Sequence, residues 1–274
     1  MDYQVSGVGG GISGALAALY LGKSRVKTCL IDRGKPSQRL SNPYIGKTTS
    51  LNLSSIASLR DVGIWEDIKK NAQEFNEIYV WDAEGSSSVQ FKAEEISRNE
   101  LGVIVHNNII LESIYSKLEQ ISEVTLIEEE SLKEISQDQN KIELISDSGL
   151  RIASELLIGA DGSLSKVRDF SRIPIRTWSY EQLAIVSSVT TEVPLDKTAF
   201  QIFTDTGPIA LLPLMVGENV ASLIWSTDED YGKKLLELDN DELCKELRLK
   251  TEDKFGDISF NETINSFPIA STTC

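Results

Sequence analysis

A glycine-rich segment near the amino terminus constrains the fold of this chain more than any other feature. Residues 9–14 match the pattern G-x-G-x-x-G, with an apolar segment before them at 3–8 and an Ala- and Leu-rich segment after them at 12–21. This order predicts a strand, a tight turn and a helix, and residues 26–32 predict a second strand. A βαβ unit requires a parallel sheet with a right-handed crossover, so we predict an α/β protein.

The glycines of this motif and one acidic residue are the first candidate binding residues. Gly9 allows the tight turn, Gly11 lets a pyrophosphate approach the backbone, and Gly14 lets the helix pack closely on the sheet. The anion would then lie on the N–H groups of the helix start. Asp32 ends the second strand at about the usual spacing of ~20 residues, where a carboxylate accepts ribose hydroxyls. We therefore predict a dinucleotide site; the alternative is a glycine turn that binds no ligand.

Composition restricts the partners and the chemistry. The chain has 274 residues, with 27 Lys and Arg against 42 Asp and Glu, and its net charge is −15. Such a surface repels phosphate backbones, so we expect no nucleic-acid partner. The 3 cysteines and 1 histidine fit no disulfide framework, no metal site and no Ser-His-Asp triad. The single histidine, His106, is interpreted as structural, and Cys29 as a small buried apolar residue.

A second motif lies in the middle of the chain. An apolar strand at 156–158 leads into the sequence G-A-D-G-x-x-S-x-V-R at residues 159–168. Asp-Gly alone is a common turn, but the longer pattern is much more specific. Together with the amino-terminal glycines it resembles the aromatic-hydroxylase flavoproteins related to para-hydroxybenzoate hydroxylase, and among them the hydroxylases of ubiquinone biosynthesis.

Further segments extend this resemblance over nearly the whole chain. They are similar to family segments in the same order: K-T-T-S-L at 47–51, G-I-W-E at 63–66, Y-V-W-D at 79–82, I-V-H-N at 104–107, W-S-Y-E-Q at 178–182 and G-P-I-A-L-L-P-L at 207–214. The family pattern for the first of these begins with arginine. At position 47 the ammonium group of Lys47 therefore stands where the family has a planar guanidinium group. An ammonium group is a point charge, and this weakens any bidentate contact.

The resemblance implies an FAD site formed by residues far apart in the sequence. The glycines of residues 9–14 and Asp32 would hold the ADP half, while the loop at 161–168 would lie by the pyrophosphate and ribose. An amide side chain at position 107 would lie near the flavin. The residues implied to bind or support FAD are Gly9, Gly11, Gly14, Asp32, Lys47, Asn107, Asp161, Gly162 and Arg168.

The resemblance also implies the reaction. In the family, NADPH or NADH reduces the flavin, O2 adds to give a flavin hydroperoxide, and its distal oxygen attacks an electron-rich phenol. The cofactor supplies this chemistry, so no catalytic side chain is predicted, but a cavity that excludes water is required. The implied substrate is a polyprenyl-phenol intermediate of ubiquinone biosynthesis. Candidates to contact its ring, for which an ordinary core role is the alternative, are Trp178, Tyr180, Phe203, Pro208 and Pro213.

We expect two domains, with boundaries that follow the resemblance. A Rossmann-like FAD-binding domain comprises residues 1–72 and 97–171, and a smaller, mostly antiparallel β-sheet substrate domain comprises 73–96 and 172–274. The sequence ends before the family's G-D-A-A-H segment, so we expect a truncated member whose flavin domain lacks its carboxy-terminal part. The apolar run at 12–21 is too short to span a bilayer, and we identify no signal peptide. We expect a cytoplasmic protein, with peripheral attachment to the inner membrane or to a biosynthetic complex left open.

Several alternatives stay open at this point. The substrate is a small soluble phenol in one of them, and in another the chain is an inactive flavoprotein remnant. A third is an NAD-dependent dehydrogenase with a bare Rossmann domain, although no catalytic His or Tyr-Lys pair is evident. The ring position, the tail length, the choice between NADH and NADPH, and the oligomeric state are not determined by the sequence.

Overall fold

The computed structural model describes residues 2–35 and 47–273. Its strands are β1 (Asp2–Val8), β2 (Thr28–Ile31), β3 (Thr48–Asn52), β4 (Gln73–Phe75), β5 (Glu77–Asp82), β6 (Ser88–Lys92), β7 (Gly102–His106), β8 (Val124–Ile127), β9 (Leu132–Gln137), β10 (Ile142–Ser146), β11 (Arg151–Gly159), β12 (Arg176–Thr191), β13 (Thr198–Thr204), β14 (Gly207–Pro213), β15 (Val220–Asp228), β16 (Ile258–Phe260) and β17 (Asn265–Thr273). Its helices are α1 (Ile12–Lys23), α2 (Leu53–Asp61), α3 (Trp65–Lys69), α4 (Asn107–Leu118), α5 (Lys166–Phe170), α6 (Glu229–Glu237) and α7 (Asn240–Lys250), with a 3₁₀ helix at Ala93–Ile96.

The first sheet contains the predicted βαβ unit. Its strand order is β8-β2-β1-β11-β10-β9, and β1 is parallel to both β2 and β11. Helix α1 connects β1 to β2 and packs together with α4 in one buried cluster that includes Leu19, Ile114 and Tyr115. The parallel pairing of β1 with β11 places Val8 opposite Gly159. The loops that follow these two strands therefore leave the sheet side by side.

The third sheet is the eight-stranded, mostly antiparallel sheet formed by β16, β12, β15, β14, β13, β5, β6 and β17. Its strands alternate between two faces, because successive side chains of a strand point to opposite sides. One face packs against α6 and α7 and includes Leu211, Leu223 and Trp225, which are fully buried. We call the other side the open face; Ala184, Val186, Ala210 and Ile224 belong to it by register.

A small second sheet, of order β3-β7-β4, lies between the other two. It packs against the open face of the third sheet through a cluster formed by Phe75, Ile104, Ala199 and Leu214. The hydroxyl groups of Thr48 and Ser222 form a hydrogen bond of 2.8 Å across the same junction. The second sheet therefore contacts the third sheet both through apolar side chains and through a hydrogen bond, and these contacts fix the position of β3 and β7 against the open face.

The α/β fold class predicted from the sequence is confirmed, and capping residues set the ends of two of its elements. The chain forms β3 up to Asn52 before α2 begins. Asn52 ends the strand because its side chain accepts the N–H of Ser55 and caps the helix. The region after Arg172 consists mostly of strands, as expected, and also contains α6 and α7. A capping box between Asp239 and Glu242 starts α7.

A matched pair of leucines on α7 tests the packing of this helix on the third sheet. Leu247 is fully buried, whereas Leu249 on the same helix is 75% exposed. We expect Leu247→Ala to lower the free energy of unfolding by about 2–5 kcal/mol, because it leaves a cavity in the core. Leu249→Ala should change it by less than about 0.5 kcal/mol. Urea denaturation followed by circular dichroism measures both; equal losses would contradict the packing.

Candidate functional site

The glycine turn between β1 and α1 is closed by backbone contacts with the loop after β11. Gly9 has a φ of 103°, and a Cβ atom at this position would lie 2.2 Å from the carbonyl oxygen of Ala160. The N–H of Ala160 in turn donates to Val8 O at 2.8 Å. A Cβ on Gly14 would lie 1.9 Å from Gly9 O. Only glycine therefore fits at positions 9 and 14.

The start of α1 faces open space among the residues that the structure describes. Within them, Gly11 is the N-cap residue, no side chain caps the helix, and no acidic residue lies in its first turn. No atom of these described residues lies within 4 Å of a Cβ placed on Gly11. The first N–H groups of a helix have no partner within it and carry the positive end of the helix dipole. This arrangement suits a phosphate group.

Asp32 holds the glycine turn from the end of β2. Its carboxylate accepts the N–H of Gly10 at 2.5 Å and that of Gly34 at 2.8 Å, and the side chain is largely buried. A carboxylate has about four acceptor positions, and ribose hydroxyls are among the donors that it accepts. The acid therefore organises the turn and also contributes to the cavity beside it.

The loop after β11 is organised around Asp161. Its carboxylate accepts the N–H groups of Lys166 at 2.7 Å and Val167 at 3.2 Å, and the hydroxyl of Ser165. Asp161 thus helps to cap the short helix α5. The guanidinium of Arg168 donates to Ser163 O at 3.0 Å and ties the loop to the same helix. Gly162, with a φ of 93°, has open space where a Cβ would lie.

A cavity of about 140 Å³ lies between the two loops. Among the residues that line it are Gly9, Asp32, Arg33, Glu130, Asp161 and Lys166. Glu130 is the last of three consecutive glutamates at residues 128–130. Hydrogen bonds from Ser148 and Ser146 lower the pKa of Glu130, so it is ionised at neutral pH. The cavity thus combines carboxylates that can accept hydroxyl groups with two cationic side chains.

Asn107 and Lys47 lie together at the junction of the second and third sheets. The backbone N–H of Asn107 donates to Lys47 O at 2.9 Å, and the hydroxyl of Thr49 donates to the Asn107 amide oxygen. The Lys47 ammonium group lies 3.9 Å from the ring centre of Phe267, a cation–π contact. Lys47 therefore contacts the open face of the third sheet, on which Phe267 lies opposite Ala184.

The structure brings only part of the predicted substrate residues together. Phe203 and Pro208 are cross-strand neighbours on the open face, and Phe203 is about half exposed. Trp178 lies opposite Ser271, and Tyr180 lies at the irregularity between Ser179 and Gln182; both aromatic side chains are exposed. Pro213 pairs with Ala221 on the face covered by α6 and α7 and is buried.

Some residues of the site gave no usable sequence signal. The hydroxyl of Tyr115 donates to Gly10 O at 2.8 Å from a position far along the chain. Thr49 and Ser222 connect strands of different sheets through their hydroxyl groups. Such contacts depend on tertiary packing, which spacing along the chain does not encode. Of the residues in these contacts, Gly10 alone carried a sequence signal for a place in the site, because it is the middle glycine of a G-G-G run.

The comparisons with known proteins establish the family. The sequence profile of a family described as an FAD binding domain matches residues 2–274. The chain therefore belongs to this family of FAD-binding proteins, and FAD is its cofactor. The site fits FAD, because two closely apposed loops and a buried acid at the end of β2 surround one cavity, and the uncapped start of α1 follows directly after the first of these loops.

Two curated relatives are enzymes named for ubiquinone synthesis. The ubiquinone biosynthesis monooxygenase COQ6 of Dictyostelium discoideum is 30% identical over 284 residues, covering 90% of this chain and 57% of that protein. The ubiquinone hydroxylase UbiL of Rhodospirillum rubrum is 30% identical over 250 residues, covering 91% of this chain and 57% of that protein. The chain thus spans little more than half the length of these relatives.

Solved structures show the same fold. A variant of PqsL of Pseudomonas aeruginosa with four substitutions superposes with a TM-score of 0.84 at 15% identity, over 98% of this chain and 74% of that protein. The p-nitrophenol 4-monooxygenase PnpA of Pseudomonas putida gives a TM-score of 0.77 at 15% identity, over 99% of this chain and 69% of that protein. At such identities the likeness concerns the fold alone. Within residues 2–35 and 47–273, no helix has the length and apolar character needed to cross a membrane.

Two glycines of the turn are expected to respond differently to the same substitution. Gly14→Ala should lower the free energy of unfolding by about 1–3 kcal/mol, because its Cβ would overlap Gly9 O. Gly11→Ala should leave it within about 0.5 kcal/mol, because the new methyl group meets no atom of residues 2–35 and 47–273. Gly11→Ala should nevertheless weaken FAD binding, since the methyl group occupies the space over the helix start. Thermal unfolding and FAD titration measure the two effects.

The thiol of Cys29 is expected to be unreactive in the folded protein. Burial raises its pKa to about 11, and the side chain is fully buried in β2. The thiolate is therefore scarce at pH 8, and a thiol reagent should react with Cys29 only after denaturation. Comparing the native and denatured thiol counts of the wild type and of Cys29→Ala checks this. Rapid loss of a Cys29 signal from the native protein would contradict the burial.

Proposed function

We propose that this chain is part of an FAD-dependent monooxygenase that hydroxylates the aromatic ring of a polyprenyl-phenol in ubiquinone biosynthesis. The observation that carries the proposal is the meeting of two distant loops, around Gly9 and Asp161, at one cavity in a member of the FAD-binding family. The relatives named for ubiquinone synthesis support the substrate class.

The residues of the cavity would hold the ADP half of FAD. The N–H groups at the start of α1 would bind the pyrophosphate, with Gly11 giving it room to approach. Asp32 would accept the ribose hydroxyls. Asp161 would act mainly by holding its loop in place, since its carboxylate already caps α5, and Gly162 leaves space beside that loop.

The flavin half would lie where the second sheet meets the third. Asn107, oriented by the hydroxyl of Thr49, presents its amide at this junction, and Lys47 lies beside it over Phe267. When bound there, FAD supplies the chemistry that activates O2 with electrons from NADPH or NADH. The protein's own task is to orient the cofactor and the phenol and to keep water away from them.

The open face of the third sheet would form one wall of the substrate site. From Phe267 it continues to Ala184 on the neighbouring strand β12 and, two strands further, to Pro208 on β14 and Phe203 on β13. An apolar wall suits a phenol with a polyprenyl tail better than it suits a charged phenol. Trp178 and Tyr180, near the start of β12, would extend this wall along the same sheet. Pro213 lies on the other face and would act through packing only.

The remaining assignments follow from the same proposal. The FAD-binding domain would comprise residues 1–72 and 97–171, and the substrate domain 73–96 and 172–274. Partners would be the polyprenyl-phenol and O2, with attachment at a membrane surface or in a biosynthetic complex to deliver so apolar a substrate. Attachment would depend on apolar contact, because a net charge of −15 opposes binding to anionic headgroups.

Turnover with two classes of phenol tests the function. We expect the purified chain to bind FAD, to become yellow and to oxidise NADPH or NADH faster when a polyprenyl-phenol is added. Asp32→Ala should weaken FAD binding at least about tenfold, because Asp32 holds Gly10 and faces the ribose. Tyr180→Phe, which keeps the ring, serves as the control for FAD binding and should leave it unchanged.

The alternatives predict other results. Stimulation by small phenols alone would replace the lipid substrate with a soluble one. FAD binding without any stimulation would favour an inactive flavoprotein. A colourless protein that binds NADH tightly would favour a dehydrogenase and would overturn the proposal.

A further inference from the structure

Both polar groups of the Gly10 backbone are held by side chains. Its N–H donates to the Asp32 carboxylate at 2.5 Å, and its carbonyl oxygen accepts the hydroxyl of Tyr115 at 2.8 Å. Tyr115 lies on α4, is 4% exposed and packs in the same cluster as α1. The middle of the glycine turn is therefore fixed from two sides by residues outside it.

The contact with Tyr115 determines where the next amide points. The carbonyl of Gly10 and the N–H of Gly11 belong to one planar trans peptide group, so they point in opposite directions. The Gly10 carbonyl points inward to Tyr115, so the Gly11 N–H points outward, where α1 starts. Within residues 2–35 and 47–273, no protein atom accepts this N–H in a hydrogen bond.

The same contact explains the glycine at position 10. A Cβ atom there would lie 2.2 Å from the Tyr115 hydroxyl oxygen and 3.1 Å from the Asp32 side chain. Gly10 and Tyr115 therefore form a pair in which the missing side chain makes room for the hydroxyl. Gly10 is not one of the three glycines that define the G-x-G-x-x-G pattern, and its role is distinct from theirs.

We propose that Tyr115 is a positioning residue for the cofactor pyrophosphate. It holds the Gly10–Gly11 peptide so that the Gly11 N–H is oriented towards the anion before the cofactor arrives. A preformed donor binds more tightly than one that must be ordered on binding. This assignment deepens the proposed function and rests on FAD binding at the glycine turn.

A pair of tyrosine variants tests the proposal. Tyr115→Phe removes only the hydroxyl that holds Gly10. Tyr20→Phe is the matched control, because the Tyr20 hydroxyl also donates to a backbone oxygen, Ser58 O, at 2.8 Å, between α1 and α2 and outside the turn. FAD affinity is measured by flavin fluorescence and ADP affinity by calorimetry, at a temperature where circular dichroism shows every variant folded.

We expect Tyr115→Phe to weaken FAD and ADP binding by similar factors of about five to ten, the value of one hydrogen bond. Tyr20→Phe should leave both affinities unchanged. Equal affinities for Tyr115→Phe and wild type would overturn the positioning role, and so would equal weakening by Tyr20→Phe. A wild type that binds neither FAD nor ADP would instead overturn the proposed function, and this assignment with it.

A double-mutant cycle provides a readout that does not depend on the cofactor. Gly10→Ala should be strongly destabilising in the wild type, because its methyl group would overlap the Tyr115 hydroxyl. Its cost should be smaller in the Tyr115→Phe background, where the overlapping oxygen is absent, while the contact with Asp32 is the same in both. Equal costs in the two backgrounds would show that the hydroxyl does not occupy this position and would contradict the proposal.

Discussion

The parallel pairing of β1 with β11 is the interaction on which the rest of the structure depends. It places Val8 opposite Gly159, so the glycine turn and the Asp161 loop start from adjacent points of one sheet edge. The carboxyl ends of neighbouring parallel strands are where α/β proteins bind nucleotides. The glycine turn also needs glycine at the point of closest approach to the other loop, since a Cβ on Gly9 would overlap Ala160. The cavity between them exists because of this pairing.

The parts of the fold predictable from the sequence are those fixed by local chemistry. The glycine turn, α1 and the strands around them follow from glycine spacing and apolar periodicity. The end of β3 and the start of α7 were not predicted, because each of these boundaries depends on a single capping residue, Asn52 in the first case and Asp239 in the second.

The candidate site was predictable only where a motif recurs in a known family. Gly9, Gly11, Gly14, Asp32 and Asp161 come from two such motifs, and the structure places them around one cavity or turn. Tyr115, Thr49 and Ser222 have no motif, because they act through hydrogen bonds between elements far apart in the sequence. Pro213 is the converse case, because it lies in a segment similar to the family and was therefore a candidate. The register of β14 nevertheless places it on the face of the sheet that the helices cover.

The alternation of the third sheet separates two selective pressures along the same strands. In β12, β14 and β15, Ile185, Leu211 and Trp225 belong to the buried core, while Ala184, Ala210 and Ile224 occupy the intervening positions of the open face. Substitutions at the first set change packing, whereas those at the second change the shape of the surface offered to a small molecule. Ligand preference can therefore diverge between homologues by changes at every second residue, with little loss of thermodynamic stability.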